Sequence, residues 1–298
     1  MKKAMLILSA GILTAAMVTG CQSSDTSKTT AAPAETSSAA ETTAEASAET
    51  SEEAAQTEAE ASADSDLAYV QDKGTLVVGI TDFEPMDYKD ADGQWIGFDA
   101  DMAKAFGESL GVDVEFVEID WDNKIMELNG KTIDCVWNGM TLTSEVLSSM
   151  ECSDAYCNNA QVVIVPADKA DQYQDTDSLK DLSFAVEAGS AGEEQVSELG
   201  LNFTQVKAQS DALMEVAAGT SDAAVIDSLM AAAMVGEGTG YADLTYTIGL
   251  NSEEYGVGFR KGSDLAAALN DFFAASYADG SMQACAETYG VQAALVEQ

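Results

Sequence analysis

The sequence predicts an α/β protein built as two similar lobes, each a mixed, mainly parallel sheet with flanking helices. Between Trp95 and Thr143 helical and strand patterns alternate twice, and strands alternating with helices of this length imply a parallel sheet. A second helix–glycine–strand run from Ser210 to Asp227 repeats that organisation once, which suits two lobes and not a solenoid. The chain of 298 residues is long enough for one such domain plus further segments.

In chain order, Met1 to Cys21 is a processing segment. Lys2 and Lys3 precede an apolar run from Ala4 to Val18, and Val18-Thr19-Gly20-Cys21 matches a lipobox. Cleavage there makes residues 1–20 a lipoprotein signal peptide and frees Cys21 to carry diacylglycerol, on the outer face of the bacterial cytoplasmic membrane. A plain signal peptide with an incidental cysteine is the blander alternative. Residues 21–66 are rich in Ala, Ser, Thr and Glu with hardly any large apolar residue, so they read as a disordered tether. Its length suits a spacer through a cell wall.

Leu67 to Val70 begins a short helix ending near Gly74, and Thr75–Ile80 is the first strand. The loop Thr81–Met86 follows, then a turn at Asp90–Gly93. Asp99 is placed to cap a helix whose apolar positions Met102, Phe106 and Leu110 recur at spacing four before Gly111. After the strand Val112–Phe116, Asp122 or Asn123 opens a helix expected to bury Ile125, Met126 and Leu128. Ile133–Trp137 is then a strand that empties into Asn138–Thr143. Ligands bind outside the carboxyl ends of parallel strands, so this turn is a candidate binding edge.

Gln161–Val165 is expected to cross into the second lobe. There Glu187–Gly192 forms a small-residue turn before the helix Glu193–Leu199, whose backbone N–H groups make an anion site. Ser210 is expected to cap Ala212–Ala218, ahead of the strand Ala223–Asp227. Glu254–Phe259 crosses back, and helices from Leu265 and Ser281 pack on the first lobe. The expected lobes are therefore 67–162 with 255–298, and 163–254.

Net charge is −39, with no histidine and a single arginine, Arg260. Nucleic-acid binding needs a basic footprint that is lacking here. A His-based triad and a common zinc site are excluded by composition, and the acidity suits a soluble, surface-exposed protein. No cofactor or metal site is expected.

The stretches "GTLVVGITDFEPMDYKDADGQWIGFD", "NGMTLTSE", "EYGVGFRKGSDL" and "DGSMQACAETYG", in that order, resemble the polar amino-acid substrate-binding proteins of ABC importers, bacterial extracellular solute-binding protein family 3. The resemblance implies the type II periplasmic-binding-protein fold, with two strands crossing between lobes, and no catalytic residues. It implies capture of an amino acid or related amine-bearing polar solute and delivery to a membrane permease, by a monomer that does not bind nucleic acid. Its candidate ligand-binding residues are Phe83, Glu84, Trp121, Asn138, Gly139, Thr141, Thr143, Ser190, Ala191 and Asp227. Phe83 covers the ligand or packs in the core. Asp227 pairs with an ammonium, caps the next helix, or does both. The turn at Ser190 holds a carboxylate or is a plain capped turn.

The sequence departs from the family at one point. The usual Thr-x-Thr-x-Glu-Arg run reads Thr141-Leu142-Thr143-Ser144-Glu145-Val146, so the carboxylate-binding arginine is absent, and Arg260 belongs to a segment away from the cleft. Backbone amides of Thr143 and Ser190–Gly192 supply the carboxylate site, or Lys124 reaches in, or the ligand lacks a free carboxylate or is strongly cationic. Phe83, Trp121, Trp137 and Tyr156 beside Glu84 and Asp227 would suit a cation, although each aromatic, Trp137 above all, also reads as core. Two alternatives stand beside this reading: a dehydratase-like enzyme on the same fold, using Glu84 or Asp227 as its acid, and an extracellular sensory module. Cys152 and Cys157 are close enough in sequence for a disulfide, while Cys135 reads as a buried apolar side chain. The four cysteines past Cys21 allow three full pairings.

Overall fold

The chain is described here from a computed structural model that covers residues 65–298. The expected signal peptide, the lipidation site Cys21 and nearly all of the tether lie outside the described residues. Helix α1 (Asp66–Lys73) starts where the Ser65 hydroxyl accepts from the Ala68 N–H at 3.0 Å and stops at Gly74, whose left-handed φ of 76° returns its N–H to the last turn. It leads into β1 (Thr75–Ile80), which runs parallel to both β4 (Asp113–Glu118) and β5 (Cys135–Thr141). The short hairpin of β2 (Tyr88–Lys89) and β3 (Trp95–Ile96) lies apart.

Helix α2 (Phe98–Leu110) is entered through Gly97, and here glycine is required. Its φ is 126°, and a Cβ would sit 2.1 Å from the Met86 carbonyl oxygen. The expectation that Asp99 caps this helix is corrected. Asp99 lies inside the first turn, fully buried, and its Oδ2 accepts from the Gly139 N–H and the Tyr156 hydroxyl, both at 2.7 Å. Tertiary donors hold it more firmly than its own helix end could. A single 3-10 turn (Trp121–Asn123) leads to α3 (Lys124–Asn129), where Met126 is 63% exposed instead of buried. So short a helix hides one i, i+4 edge, and Lys124 and Leu128 occupy it.

After α4 (Ser144–Ser149), β6 (Glu151–Cys152) and β7 (Cys157–Asn159) both pair with the antiparallel strand β13 (Glu253–Phe259). The first sheet thus has the order β4-β1-β5-β13-β6, with β7 also on β13. The expected Cys152–Cys157 disulfide is corrected, because both thiols are free. They stand opposite Gly258 and Tyr255, three positions apart on β13. That offset is about 10 Å along a strand, beyond the roughly 7 Å that a disulfide spans.

The second sheet has the order β10-β9-β11-β8-β12. It contains β8 (Gln161–Pro166), β9 (Ser183–Glu187), β10 (Asn202–Val206), β11 (Ala223–Asp227) and β12 (Leu244–Gly249). β9 runs parallel to β10 and β11, and β8 runs antiparallel to β11. The chain passes between sheets at Ala160 and returns through Leu250–Ser252. Helices α5 (Ala191–Glu198), α6 (Gln209–Ala218) and α7 (Ser228–Met234) serve this sheet. α6 begins at Gln209 with Ala208 before it, so Ser210 falls within the first turn and does not cap the helix. Gln209 is instead buried against Asp227. Helices α8 (Leu265–Asp279) and α9 (Ser281–Tyr289) return to α2 and β13. No helix among the described residues is long and apolar enough to cross a membrane.

Arg260, directly after β13, is buried at the far end of the first sheet. It donates to Asp66 at 2.9 Å, to the Ile133 carbonyl at 2.9 Å and to Asp134 at 3.3 Å. Asp134 also takes the Lys73 ammonium at 2.5 Å and the Val77 N–H at 2.9 Å. Removing one member of a buried ion cluster strands the rest. Asp134→Ala is therefore expected to lower unfolding free energy by about 3–5 kcal/mol, read as a fall in the urea midpoint at constant slope.

Candidate functional site

A cavity of about 300 Å³ lies between the two sheets, a size that suits a small molecule. Its walls come from the carboxyl ends of β1, β5, β9 and β11 and the helix starts that follow them, which is where parallel sheets bind ligands. From the first lobe come Phe83, Trp121, Asn138, Gly139, Thr141 and Thr143, and from the second come Ser190, Ala191 and Asp227. Nine of the ten residues expected from sequence therefore converge. The tenth, Glu84, is not on the wall, although its neighbour Phe83 is. Trp137 and Tyr156 are also not on the wall. Trp137 packs edge-on at 5.6 Å from Phe273, and Tyr156 is buried against Asp99.

Each of these residues is held by a local device. The Thr143 hydroxyl caps α4 by accepting from the Val146 N–H at 3.2 Å. Gly139 has a φ of 55°, and a Cβ there would meet the Phe83 ring at 2.5 Å, so its missing side chain lets that ring reach the cavity. Phe83 also meets Tyr255 edge-on at 6.3 Å. The Asn138 side chain is spent inside the lobe. It accepts from the Thr81 N–H and hydroxyl, and donates to the Thr81 carbonyl and to Asp87. Asn138 can therefore offer a ligand backbone groups only.

Asp227 stands at the N-cap position of α7 without making a side-chain cap bond. Its carboxylate accepts instead from the Gln161 amide at 2.9 Å, the Tyr255 hydroxyl at 2.7 Å, and the amides of Asn159 and Gln209. The Gln209 carbonyl oxygen returns a bond by accepting from the Asp227 N–H at 2.8 Å. All four side-chain donors are neutral, so the negative charge is solvated but not cancelled. Burial, and then the nearby Glu253 carboxylate, push its pKa up.

Glu187, at the end of β9, was not expected from the sequence. It is 3% exposed, faces the cavity, and its Oε1 has no hydrogen-bond partner. Burial and the Asp227 charge raise its pKa to about 8, opposed by Lys124. The signal for it was available: Glu187 closes a strand parallel to β11, as Asp227 does. Lys124 is the one basic residue on the wall. Its ammonium donates to the Gly189 carbonyl across the cleft at 2.8 Å and to the Trp121 carbonyl at 3.3 Å, 4.9 Å from the Trp121 ring centre. Burial lowers its pKa, and Glu187 opposes that shift.

The turn before α5 is already supplied with an anion. The Ser190 hydroxyl accepts from the Glu193 N–H at 3.1 Å, and the Glu193 carboxylate accepts from the Gly189 N–H and the Gln205 amide, both at 2.7 Å. Of the two readings of the Ser190 turn, its hydroxyl makes the cap, and the Gly189 N–H beside it is taken by Glu193. In all, Glu145, Glu187, Glu193, Glu194 and Asp227 face the cavity with Lys124, five acids against one base.

Bacterial extracellular solute-binding proteins, family 3, match this chain over residues 76–292. The arginine-binding extracellular protein ArtP of Bacillus subtilis is 32% identical over 167 residues, spanning 53% of this chain and 63% of ArtP, a little under two thirds of that relative. The L-cystine-binding protein TcyJ of Escherichia coli is 27% identical over 224 residues, spanning 74% of this chain and 84% of TcyJ. Among solved structures, a mutant of ArgBP from T. maritima superposes with a TM-score of 0.71 at 31% identity, covering 76% of this chain and 99% of that one. A cleft between two α/β sheets, with its wall at the strand ends, agrees with these matches: the chain belongs to the bacterial extracellular solute-binding proteins, family 3, and has their two-lobed type II periplasmic-binding-protein fold.

Proposed function

We propose that this protein captures an amino acid or related amine-bearing polar solute between its lobes and delivers it to the membrane permease of an ABC importer. The observation that carries this reading is the wall of the cleft, five acids against one lysine, with Phe83 and Trp121 beside them. Buried carboxylates bonded only to neutral donors attract a cation, and an aromatic face adds to that attraction. The names of the relatives, binders of arginine and cystine, support an amino-acid-like solute. Lobe closure about the two crossings is the capture step. Lys124 to Gly189, and Lys207 to Asp120 at 3.4 Å, are among the contacts between the lobes.

The protein works as a monomeric receptor without a catalytic step, tethered to the outer face of the membrane through lipid on Cys21. A second reading rests on Glu187, whose buried and unpartnered carboxyl is what a general acid on this fold would need. Turnover of a prephenate-like substrate by the purified domain would replace the receptor reading with that one.

Three measurements test the proposal. In a thermal-shift screen, lysine- or arginine-like amines are expected to raise the midpoint by mass action and acidic amino acids are not. Asp227→Asn should weaken the best binder by about tenfold or more, since it removes a buried charge partner. The second measurement uses pH. The raised folded-state pKa of Glu187 means that the folded protein holds more protons than the unfolded chain between about pH 4.3 and about pH 8, so stability falls as pH rises through that window. Amine affinity should rise over the same window, and Glu187→Gln should reduce both trends, the remainder coming from Asp227, Asp87 and Asp99, whose pKa values are also raised. In the third, Cys21→Ala should move the protein from the membrane fraction to the medium.

A further inference from the structure

The cleft reserves no cation for the carboxylate of an amino acid. The arginine that the family motif would supply is Val146, a buried apolar side chain on the wall. The molecule's one arginine, Arg260, is committed to Asp66 and Asp134 on the opposite side of the first sheet. Beside the N-terminus of α5 the protein's own Glu193 carboxylate, held by Gly189 and Gln205, already takes the Gly189 N–H, so an arriving anion would sit next to a fixed one. Lys124 already gives two of its three protons to main-chain carbonyls and faces Glu187. A ligand carboxylate entering here would be a sixth acidic group on this wall, with no bidentate partner.

The ammonium side is oversupplied by comparison. The adjacent parallel strands β9 and β11 end at Glu187 and Asp227, both of which line the cavity, close enough for the Asp227 charge to act on Glu187. Asp227 is saturated by four neutral donors, whereas Glu187 keeps a buried oxygen with no partner. An unmet buried acceptor costs free energy until a donor reaches it, and an ammonium supplies both the donor and the charge.

We infer that the cognate solute is a carboxylate-free organic amine of the linear diamine or guanidino-amine class, anchored by Glu187 together with Asp227. Glu187 is thereby a specificity residue: it selects for cationic character where the arginine of a carboxylate clamp would select amino acids. The second cation of such a solute lies toward Glu193, Glu145 and Glu194, where an amino acid would place its carboxylate.

This inference rests on the amine-binding reading above, and isothermal titration of the wild-type domain with two matched pairs separates the two. Lysine is compared with cadaverine, and arginine with agmatine, each pair differing only by the carboxylate. The decarboxylated member is expected to bind at least about tenfold tighter in both pairs. Glu187→Gln should erase most of that preference while its circular dichroism stays native, and Val146→Arg should shift preference back toward the amino acids. If lysine or arginine binds as tightly as its decarboxylated partner, the inference is overturned and the amine-binding reading stands. If none of the four binds, both are overturned.

Discussion

A carboxylate buried at the seam between two sheets, Asp227, is the feature on which the arrangement of the cleft depends. It ends β11, and its four donors come from β7, β8, β13 and the first residue of α6. Three of these segments border the two places where the chain passes between lobes. A buried carboxylate requires donors, so its demand fixes the crossing strands against the second sheet. Because the donors are amides and a phenol, no cation within the lobe cancels the charge of the ionised form, while burial raises its pKa. A lysine or arginine among them would have cancelled the field that the binding site uses.

The first lobe uses its charges the opposite way. Asp134 and Asp66 are neutralised by Arg260 and Lys73, at the end of the sheet remote from the cavity. There, ion pairing ties α1, β5 and the end of β13 into one unit, and nothing remains for a ligand. A second buried pair, Asp87 and Asp99, sits behind the cavity floor. Asp87 accepts from the Asn138 amide and Asp99 from the Gly139 N–H, so both orient the main chain that lines the cleft without entering it. Burial pushes both of their pKa values up, further raised for Asp87 by the neighbouring Asp99 charge. The same residue type thus serves as strut, floor support and ligand attractant, and the available donors decide which.

Self-supply of the α5 turn follows from one spacing. Ser190 and Glu193 stand three apart, the spacing of a capping box, and Gly189 before them lets the carboxylate reach back to its N–H. The turn thus carries an anion of its own, bound at the Gly189 N–H. This one local pattern turns a carboxylate site into part of an acidic wall, in the same cleft where Val146 removes the arginine.

Sequence alone determined the local architecture. Alternating strand and helix periods and the stops at Gly74, Gly111 and Gly219 depend on neighbours a few residues away, and each stands where the pattern placed it. The Asn138–Thr143 edge was legible too, because strand ends in a parallel sheet face one edge, and the family resemblance pointed to most of the remaining wall. Where reading failed, a distant partner had displaced a local one: Gly139 and Tyr156 drew Asp99 into the lobe, Asp227 drew Gln209 to the start of α6, and α3 rolled Met126 outward. Glu187 could be read as the end of a strand, but what it does there depends on the pairing of β9 with β11 and on Lys124 from the other lobe. Which carboxylates stay charged, which find donors and which one is left without a partner depends on packing across the whole chain, and only the tertiary structure decides that.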